Sequence, residues 1–443
     1  MNSETLEEDE RITAEDLRDA WPLLDQEERV VDFGLLDRGE AEDFLLSISG
    51  LDLAGLVMAL PKEQRRSWVR LLPPDDAADL LQAVPAEDKD ALFQLLDDPM
   101  KREVTALLAY AEDRAGGLMN PRYARLRPEL TVDEAINYLR KQAKERLETI
   151  YYVYVIDEQQ RLLGVVSFRE LFAAKADAKV KDVMHPEVIT VGEQDDQEKV
   201  SRVFADHDLY AVPVVDAEGR IKGIVTVDDI VDVVEEEATE DIQKLGGMQA
   251  LEAPYLHVAF FEMLKKRGGW LAVLFLGEMI TASAMAQFED DIAKAVVLAL
   301  FVPLIISSGG NSGSQATTLV IRAMALGEVR MTDWWRVVRR EIFVGLALGL
   351  LLGCIGFLRV YVWHWISPIY GEHYLLIGLT VMLSLIGVVI TGTVTGSLLP
   401  FVLRRFGLDP ASASAPFVAT IVDVTGLLLY FSVASVVLAG TLL

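Results

Sequence analysis

The sequence predicts a multidomain protein: an all-α N-terminal superhelical domain, an α/β pair of repeated domains, a connecting helix, and a polytopic α-helical membrane domain of five spans. Three observations predict it. Charge divides the chain: residues 1–262 hold 29 Lys+Arg against 58 Asp+Glu, the stretch from Met263 holds 12 against 10, and the total net charge is −27. A block of sequence recurs at an offset of 59 between residues 120 and 240. Five apolar stretches, each long enough to cross a bilayer, follow after residue 268.

Residues 1–20 are polar and acidic and read as a mobile terminus. The opening MNSETLEEDE has no apolar core, so no signal peptide is expected and the soluble half stays on the cytosolic side. Residues 21–118 read as a helical domain with a repeat at an offset of 24. Asp52-Leu-Ala-Gly-Leu56 through Leu60-Pro61 matches Asp76-Ala-Ala-Asp-Leu80 through Val84-Pro85. Apolar positions recur at three and four, the prolines fall where one helix yields to the next, and short helices repeated in this way stack into a superhelical layer.

Residues 119–240 contain the longer repeat. Thr131-Val-Asp-Glu134 is paired with Thr190-Val-Gly-Glu193, Tyr151 through Asp157 with Tyr210 through Asp216, and Arg161 through Ser167 with Arg220 through Thr226. Each copy reads as a helix, two short apolar strands joined by a turn, and a second helix. The run Val234-Glu-Glu-Glu-Ala-Thr-Glu-Asp-Ile242 then leads into a connecting helix over 241–267. A solvated acidic helix end is the ordinary reading of such a run. Its position between the repeat and the first span makes it a mechanical link.

Hydropathy places the spans near 270–288, 294–321, 341–363, 374–402 and 413–441, within a membrane domain over 268–443. Lys265, Lys266 and Arg267 precede the first span. Arg322, Arg330, Arg336, Arg339 and Arg340 surround the second connection, and Arg404 and Arg405 follow the fourth span. The positive-inside rule then sets the N-terminus in the cytosol and the C-terminus outside, in a multi-pass cell (inner) membrane protein. Asp423 is the only charged residue from Ala411 to Leu443 and lies near the middle of its span. A carboxylate at that depth faces a partner, a water-filled cavity or an ion path. Glu278 is a second intramembrane acid, equally compatible with lining a pore or pairing with a neighbouring helix. The second span carries Gly309-Gly310-Asn311-Ser312-Gly313-Ser314-Gln315, denser in polar groups than helix contact through small residues requires. Gly387, Gly392 and Gly396 in the fourth span read as close helix packing, Cys354 as a packing residue, and Arg359 as a snorkelling side chain.

These motifs carry a resemblance. The 59-residue repeat resembles a pair of CBS domains, a class that senses ligands and often binds adenine nucleotides between its copies, so ATP there is an expectation of the resemblance alone. The whole chain resembles the MgtE family of magnesium transporters, in domain order and in Thr226-Val-Asp-Asp-Ile230, Glu236-Glu-Ala-Thr-Glu-Asp241, Gly310-Asn-Ser-Gly-Ser-Gln315, Asp409-Pro410 and Thr420-Ile-Val-Asp-Val-Thr-Gly426. The resemblance implies a homodimeric Mg2+ channel with its pore carboxylate at Asp423, near Gly310 and Asn311. It implies regulatory Mg2+ at acidic clusters between the N-domain, the CBS pair and the connecting (plug) helix. By motif these fall on Asp196, Glu198, Asp208, Asp229, Asp232, Glu237, Glu240 and Asp241, with Asp75, Asp76 and Asp79 as N-domain candidates. Ala419 departs from the family pattern, where a threonine is common.

Physical chemistry agrees with a hard cation. Mg2+ keeps most of its water and takes one or two carboxylates, which suits two copies of Asp423 around a two-fold axis. The five histidines are scattered, and no Cys/His set favours a softer metal. An acidic front half argues against nucleic acid as partner. The competing readings are a secondary transporter exchanging a divalent cation (Mg2+ or Co2+) for H+ or Na+, and a membrane-anchored sensor that moves no ion. An enzyme is not expected, since the chain shows no nucleophile–base set, phosphate loop or zinc motif.

Overall fold

The computed structural model describes residues 12–143, 147–149, 151–251, 255–256 and 258–442. The chain divides into two compact units, residues 1–237 and 238–443. Of the terminus read as mobile, residues 1–11 lie outside the described residues. The remainder is ordered: Thr13 and Asp16 form a capping box for α1 (Ala14–Ala20), which buries Ala14 and Leu17.

The helical domain continues with α2 (Gln26–Phe33), α3 (Arg38–Leu45), α4 (Gly50–Ala59), α5 (Lys62–Val69), α6 (Pro74–Ala83), α7 (Ala86–Phe93) and α8 (Asp98–Leu107). Helices α2, α4, α6 and α8 start at Gln26, Gly50, Pro74 and Asp98, and α3, α5 and α7 start at Arg38, Lys62 and Lys62's counterpart Ala86, so the 24-residue period runs further than the two copies visible in sequence. Pro61, Pro73 and Pro85 stand at helix N-caps, where a missing N–H has no cost. The short α9 (Ala115–Leu118) then leads into the repeat pair.

Each copy of the pair is a three-stranded sheet with a parallel and an antiparallel pairing. The first holds β1 (Arg125–Leu126), β2 (Tyr152–Ile156) and β3 (Leu162–Ser167), with α10 (Val132–Gln142), α11 (Phe168–Ala173) and α12 (Val180–Val183). The second holds β4 (Val191–Gly192), β5 (Ala211–Val215) and β6 (Ile221–Thr226), with α13 (Gln197–His207) and α14 (Val227–Leu245). A register shift falls at Val155/Ile156 in one sheet and at Val214/Val215 in the other, so the offset of 59 holds for the hairpins. It fails before them. Thr131 caps α10, whereas Thr190 precedes strand β4 and the equivalent cap of α13 is Asp196. Nine residues separate α10 from β2 but three separate α13 from β5, so the first copy carries six extra residues there.

Three hydrophobic clusters hold this unit, one of them (Tyr123, Tyr154, Ile156, Ala211, Ile221 and Ile224) drawn from both copies of the pair. Another runs continuously from Leu17 through the helical domain into Val191, Phe204, Val214 and Ile230 of the second copy. The first copy has its own core of Ala124, Leu126, Leu139, Val153, Val155 and Val166.

In the second unit the connecting segment is not one helix over 241–267. Helix α14 stops at Leu245, and helix resumes at α15 (Phe260–Ala286), with residues 252–254 and 257 outside the described residues. Gly247 takes φ +75°, a left-handed helix ending that glycine accepts readily, and a Cβ there would lie 3.0 Å from the Trp270 ring.

Among the described residues five helices are long and apolar enough to cross a membrane: α15, a helical stretch over Val296–Ala325 that contains α17 (Val302–Ala325), α18 (Trp334–Ile366, within Met331–Ile366), α19 (Tyr374–Arg405) and α20 (Ala415–Val437). The short α16 (Glu289–Lys294) links the first two. Two glycines of the fourth span pack backbone against backbone: a Cβ on Gly392 would collide with the Gly309 carbonyl, and one on Gly396 with the Gly313 carbonyl, whereas Gly387 meets the Leu429 side chain. Cys354 is exposed on α18 and does not pack as expected. Arg359 lays its guanidinium 4.2 Å from the Trp363 ring centroid.

Candidate functional site

The intramembrane acids meet. Asp423 on α20 is half-buried, Glu278 on α15 is exposed, and their carboxyls lie within hydrogen-bonding reach of each other. Glycines set the approach of the flanking helices. Gly277 rests directly on Thr420, and Gly310 lies against Ala419 with an ideal Cβ 3.4 Å from the alanine methyl. Ala419 is therefore part of a helix seam.

The polar stretch of α17 serves two faces. Gly309 and Gly313 are buried against α19 and α20, and Ser314 Oγ donates to the Ala415 carbonyl at 3.3 Å. Asn311 and Gln315 instead belong to an exposed stripe with Ser307 and Thr318, spaced four, four and three residues apart. Asn311 Nδ2 donates to Ser307 Oγ at 3.4 Å. Helices α17 and α20 run antiparallel, because Gly309 meets Val422 while Gly313 meets Val418. That register sets Ser307, which the sequence motif does not include, near the level of Asp423.

A second gathering of acids lies in the first unit. Helix α6 carries Asp75 and Asp76 in its first turn, where its dipole favours them. Asp75 is 6% exposed and accepts from Asn120 Nδ2 at 3.1 Å, and the same amide donates to Glu148 Oε2 at 2.7 Å. Asp229 Oδ2 accepts from Thr226 N at 3.1 Å and Thr226 Oγ1 at 2.7 Å as the capping acid of α14. Burial, then the charge of Glu148, pushes Asp75 up to about 7. Burial followed by Asp75 and Asp79 pushes Asp76 up to about 9. Asp229 rises to about 7 through burial and then Asp75, and Glu148 to about 7 through burial and then Asp229 and Asp228. Asp79 is also raised to about 7, by crowding first and then by Asp229, Glu112 and Glu236, but its surface is open to solvent, which screens part of that rise. Asp232 and Glu236 are raised by burial and then by neighbouring acids. Carboxyls arranged in this way retain protons near neutral pH or take up a cation.

The other acids singled out by motif are placed differently. Asp196 caps α13 and lies 3.5 Å from Arg114, and Glu198 pairs with Arg202. Asp208 ends α13 in a left-handed conformation, exposed beside His207. Glu237 accepts from Gln197 Nε2 at 2.7 Å, Glu240 pairs with Lys244, and Asp241 follows on the same helix. Sequence reasoning missed Glu148, Asn120, Glu112 and Glu236. Glu148 lies in the six-residue insertion of the first copy, a length difference that a corrected repeat alignment exposes.

Among the described residues no three Asp, Glu, His or Cys side chains converge into a ready-made metal cage. The carboxylates, amides and hydroxyls described at both places offer oxygen donors, the ligand type that hard cations take.

Lys244 joins α14 to the membrane helices. Its ammonium donates to Asp409 Oδ2 at 2.6 Å, and Asp409 Oδ1 accepts from Ala411 N at 2.8 Å just before α20. Leu245 packs beside the buried cluster of Ile321, Ala411 and Ala413, and Trp270 Nε1 donates to Ser414 Oγ at 3.2 Å.

Five spans, a carboxyl pair within them and a soluble half carrying a CBS pair define a multi-pass ion-transport protein. Comparison with known proteins gives three family matches over four regions: MgtE intracellular N domain over 12–113, CBS domain over 115–177 and 180–236, and MgtE, described as divalent cation transporter, over 302–433. The magnesium transporter MgtE of Thermus thermophilus is 44% identical over 433 residues, covering 97% of this chain and 94% of that one. The magnesium transporter MgtE of Bacillus subtilis is 34% identical, covering 90% and 95%. A solved structure of the cytosolic domain of the Mg2+ channel MgtE in complex with ATP is 43% identical, with a TM-score of 0.48, covering 52% of this chain and 95% of that chain. The chain belongs to the MgtE family of magnesium transporters.

Proposed function

We propose that the protein imports Mg2+ through a pore containing Asp423, and that Mg2+ bound in the acidic cluster around Asp75, Asp76, Asp229 and Glu148 closes it. The observation that carries the reading is the Asp423 carboxyl beside Glu278, next to an exposed polar stripe of Ser307, Asn311 and Gln315 on a membrane helix. Such a stripe is unfavourable against lipid tails and finds a partner in a second copy of the chain around a shared water-filled path. The basic connections support a cytosolic soluble half and a C-terminus outside. An adenine nucleotide between the CBS copies is the expectation that the resemblance supplies.

Closure is energetically reasonable. Two like charges about 6 Å apart in water repel by roughly 0.7 kcal/mol, and more where water is partly excluded. A cluster of this size stores several such terms, and turning a gate from mostly open to mostly closed needs about 5.5 kcal/mol of differential binding. The second reading, exchange of a divalent cation for H+ or Na+, is favoured by the carboxyl pair, which could carry protons. Proteoliposome flux decides between them. A channel gives Mg2+ uptake that follows the Mg2+ gradient alone and falls at high Mg2+ on the cytosolic face. Uptake that requires an opposed H+ or Na+ gradient selects the exchanger.

The clamp between Lys244 and Asp409 is the proposed link from sensor to pore. Lys244→Met is expected to leave Mg2+ uptake in place while weakening its inhibition by cytosolic Mg2+ at least five-fold, read as the shift in half-inhibiting concentration. An unshifted inhibition curve removes the clamp from the mechanism.

A further inference from the structure

We infer that Glu278 is the second acid of the ion path and sets the preference for divalent over monovalent cations. The inference deepens the proposed function and rests on the reading of Asp423 as the pore carboxyl.

Three observations carry it. Glu278 projects from α15 toward Asp423 on α20, where Gly277 resting on Thr420 brings the two backbones close, so the pair is built into the helix packing. Among the described residues Glu278 has no Lys, Arg or His within ion-pair distance. The basic run ending at Arg267 is eleven residues away along the same helix, about 16 Å. One turn on, Thr281 has its hydroxyl oxygen buried and without a hydrogen-bond partner, a further oxygen on the same side of α15.

Two carboxyls facing each other inside a bilayer, with no basic side chain to neutralise them, are an arrangement that a cation between them relieves. Coulomb attraction scales with the charge of the ion, so each added carboxylate favours a divalent over a monovalent ion by the full energy it gives the monovalent one. Asp423 alone supplies one such charge per chain. Glu278 doubles it at the same place, on the helix that connects to the soluble half.

The test is ion flux through the full chain in proteoliposomes, with Glu278→Gln, Glu278→Asp and Asp423→Asn. Glutamine fills the same volume and can still hydrogen-bond to Asp423, so it removes the charge and keeps the packing. The readout is the external Mg2+ needed to block Na+ flux by half, each variant normalised to its own flux in divalent-free solution. Glu278→Gln should need at least ten-fold more Mg2+ than the parent, and Glu278→Asp, whose charge is withdrawn by one methylene, should shift by a smaller factor. Parent-like block in both Glu278 variants, with Mg2+ uptake lost in Asp423→Asn, overturns the role of Glu278 alone. Retained Mg2+ uptake in Asp423→Asn overturns the pore reading, and this inference with it.

Discussion

Asp423→Asn should lower Mg2+ uptake at least a hundred-fold while the protein still inserts and purifies as the parent does. Asparagine keeps the size of the side chain and its hydrogen-bonding capacity, so the half-buried site on α20 remains filled. What it removes is the charge. At about 4 Å and an effective dielectric constant near 20, one carboxylate attracts a single positive charge by about 4 kcal/mol, and a divalent ion by about twice that. A hundred-fold loss corresponds to about 2.7 kcal/mol, so the expected effect is well inside what the charge supplies. Fluorescent Mg2+ indicator inside proteoliposomes measures it. Uptake within two-fold of the parent would falsify the placement of Asp423 in the path.

The second large effect concerns the acidic cluster. The triple variant Asp75→Asn, Asp76→Asn, Asp229→Asn should lose closure at high Mg2+ and also change how stability depends on pH. Asp75, Asp229 and Glu148 are raised to about 7 in the folded protein and Asp76 to about 9, against ordinary values near 4 when unfolded. Between these limits the folded state holds more protons than the unfolded one. Stability therefore falls as pH rises from about 4 through 7, in the absence of divalent ions. On the proposed reading Mg2+ takes the place of the lost protons and is expected to restore it, by about 2.7 kcal/mol at a hundred-fold excess over its dissociation constant. For a unit of this size that is about 5 to 10 °C in melting temperature. Thermal melts of the parent in EDTA should thus drop between pH 5.5 and 8 and recover with Mg2+, whereas the triple variant should show a much flatter profile on both counts. A variant that keeps the parental Mg2+ recovery and closes normally assigns sensing elsewhere, with Asp196, Glu198, Asp208 and Glu240 next to be examined.

The spans were readable because a bilayer demands long apolar runs, and Asp423 stood out because nothing else in its last helix is charged. The 24-residue and 59-residue periods were readable because stacked helices and strand hairpins repeat their buried positions. Other features depend on contacts between distant parts of the chain. Nothing in the local sequence of Glu148 or Asn120 announces that one amide will bridge Asp75 and Glu148 across 45 and 28 residues. The pairing of Thr131 with Thr190 followed residue type, whereas the fold follows helix caps, and Asp196 is the true counterpart. The connecting helix ends at Leu245, short of the expected 267, and the left-handed turn at Gly247 that follows it is a backbone feature that charge and hydropathy do not reveal. Glu278 was visible, but whether it met Asp423 depended on the packing of Gly277 against Thr420.

The glycine contacts between α17 and α19 have a mechanical consequence. Helices whose backbones touch at Gly309–Gly392 and Gly313–Gly396 have no room to slide or rotate singly, so that part of the bundle behaves as a fixed block. The first span is different: only 6% of its apolar window is buried within the chain, against 44% and 50% for the second and fourth. It is the loose plank beside the block, it is the span joined to the soluble half, and it holds Glu278. A tilt of that plank moves Glu278 relative to Asp423, so on the proposed reading closing the path and releasing the ion are a single movement.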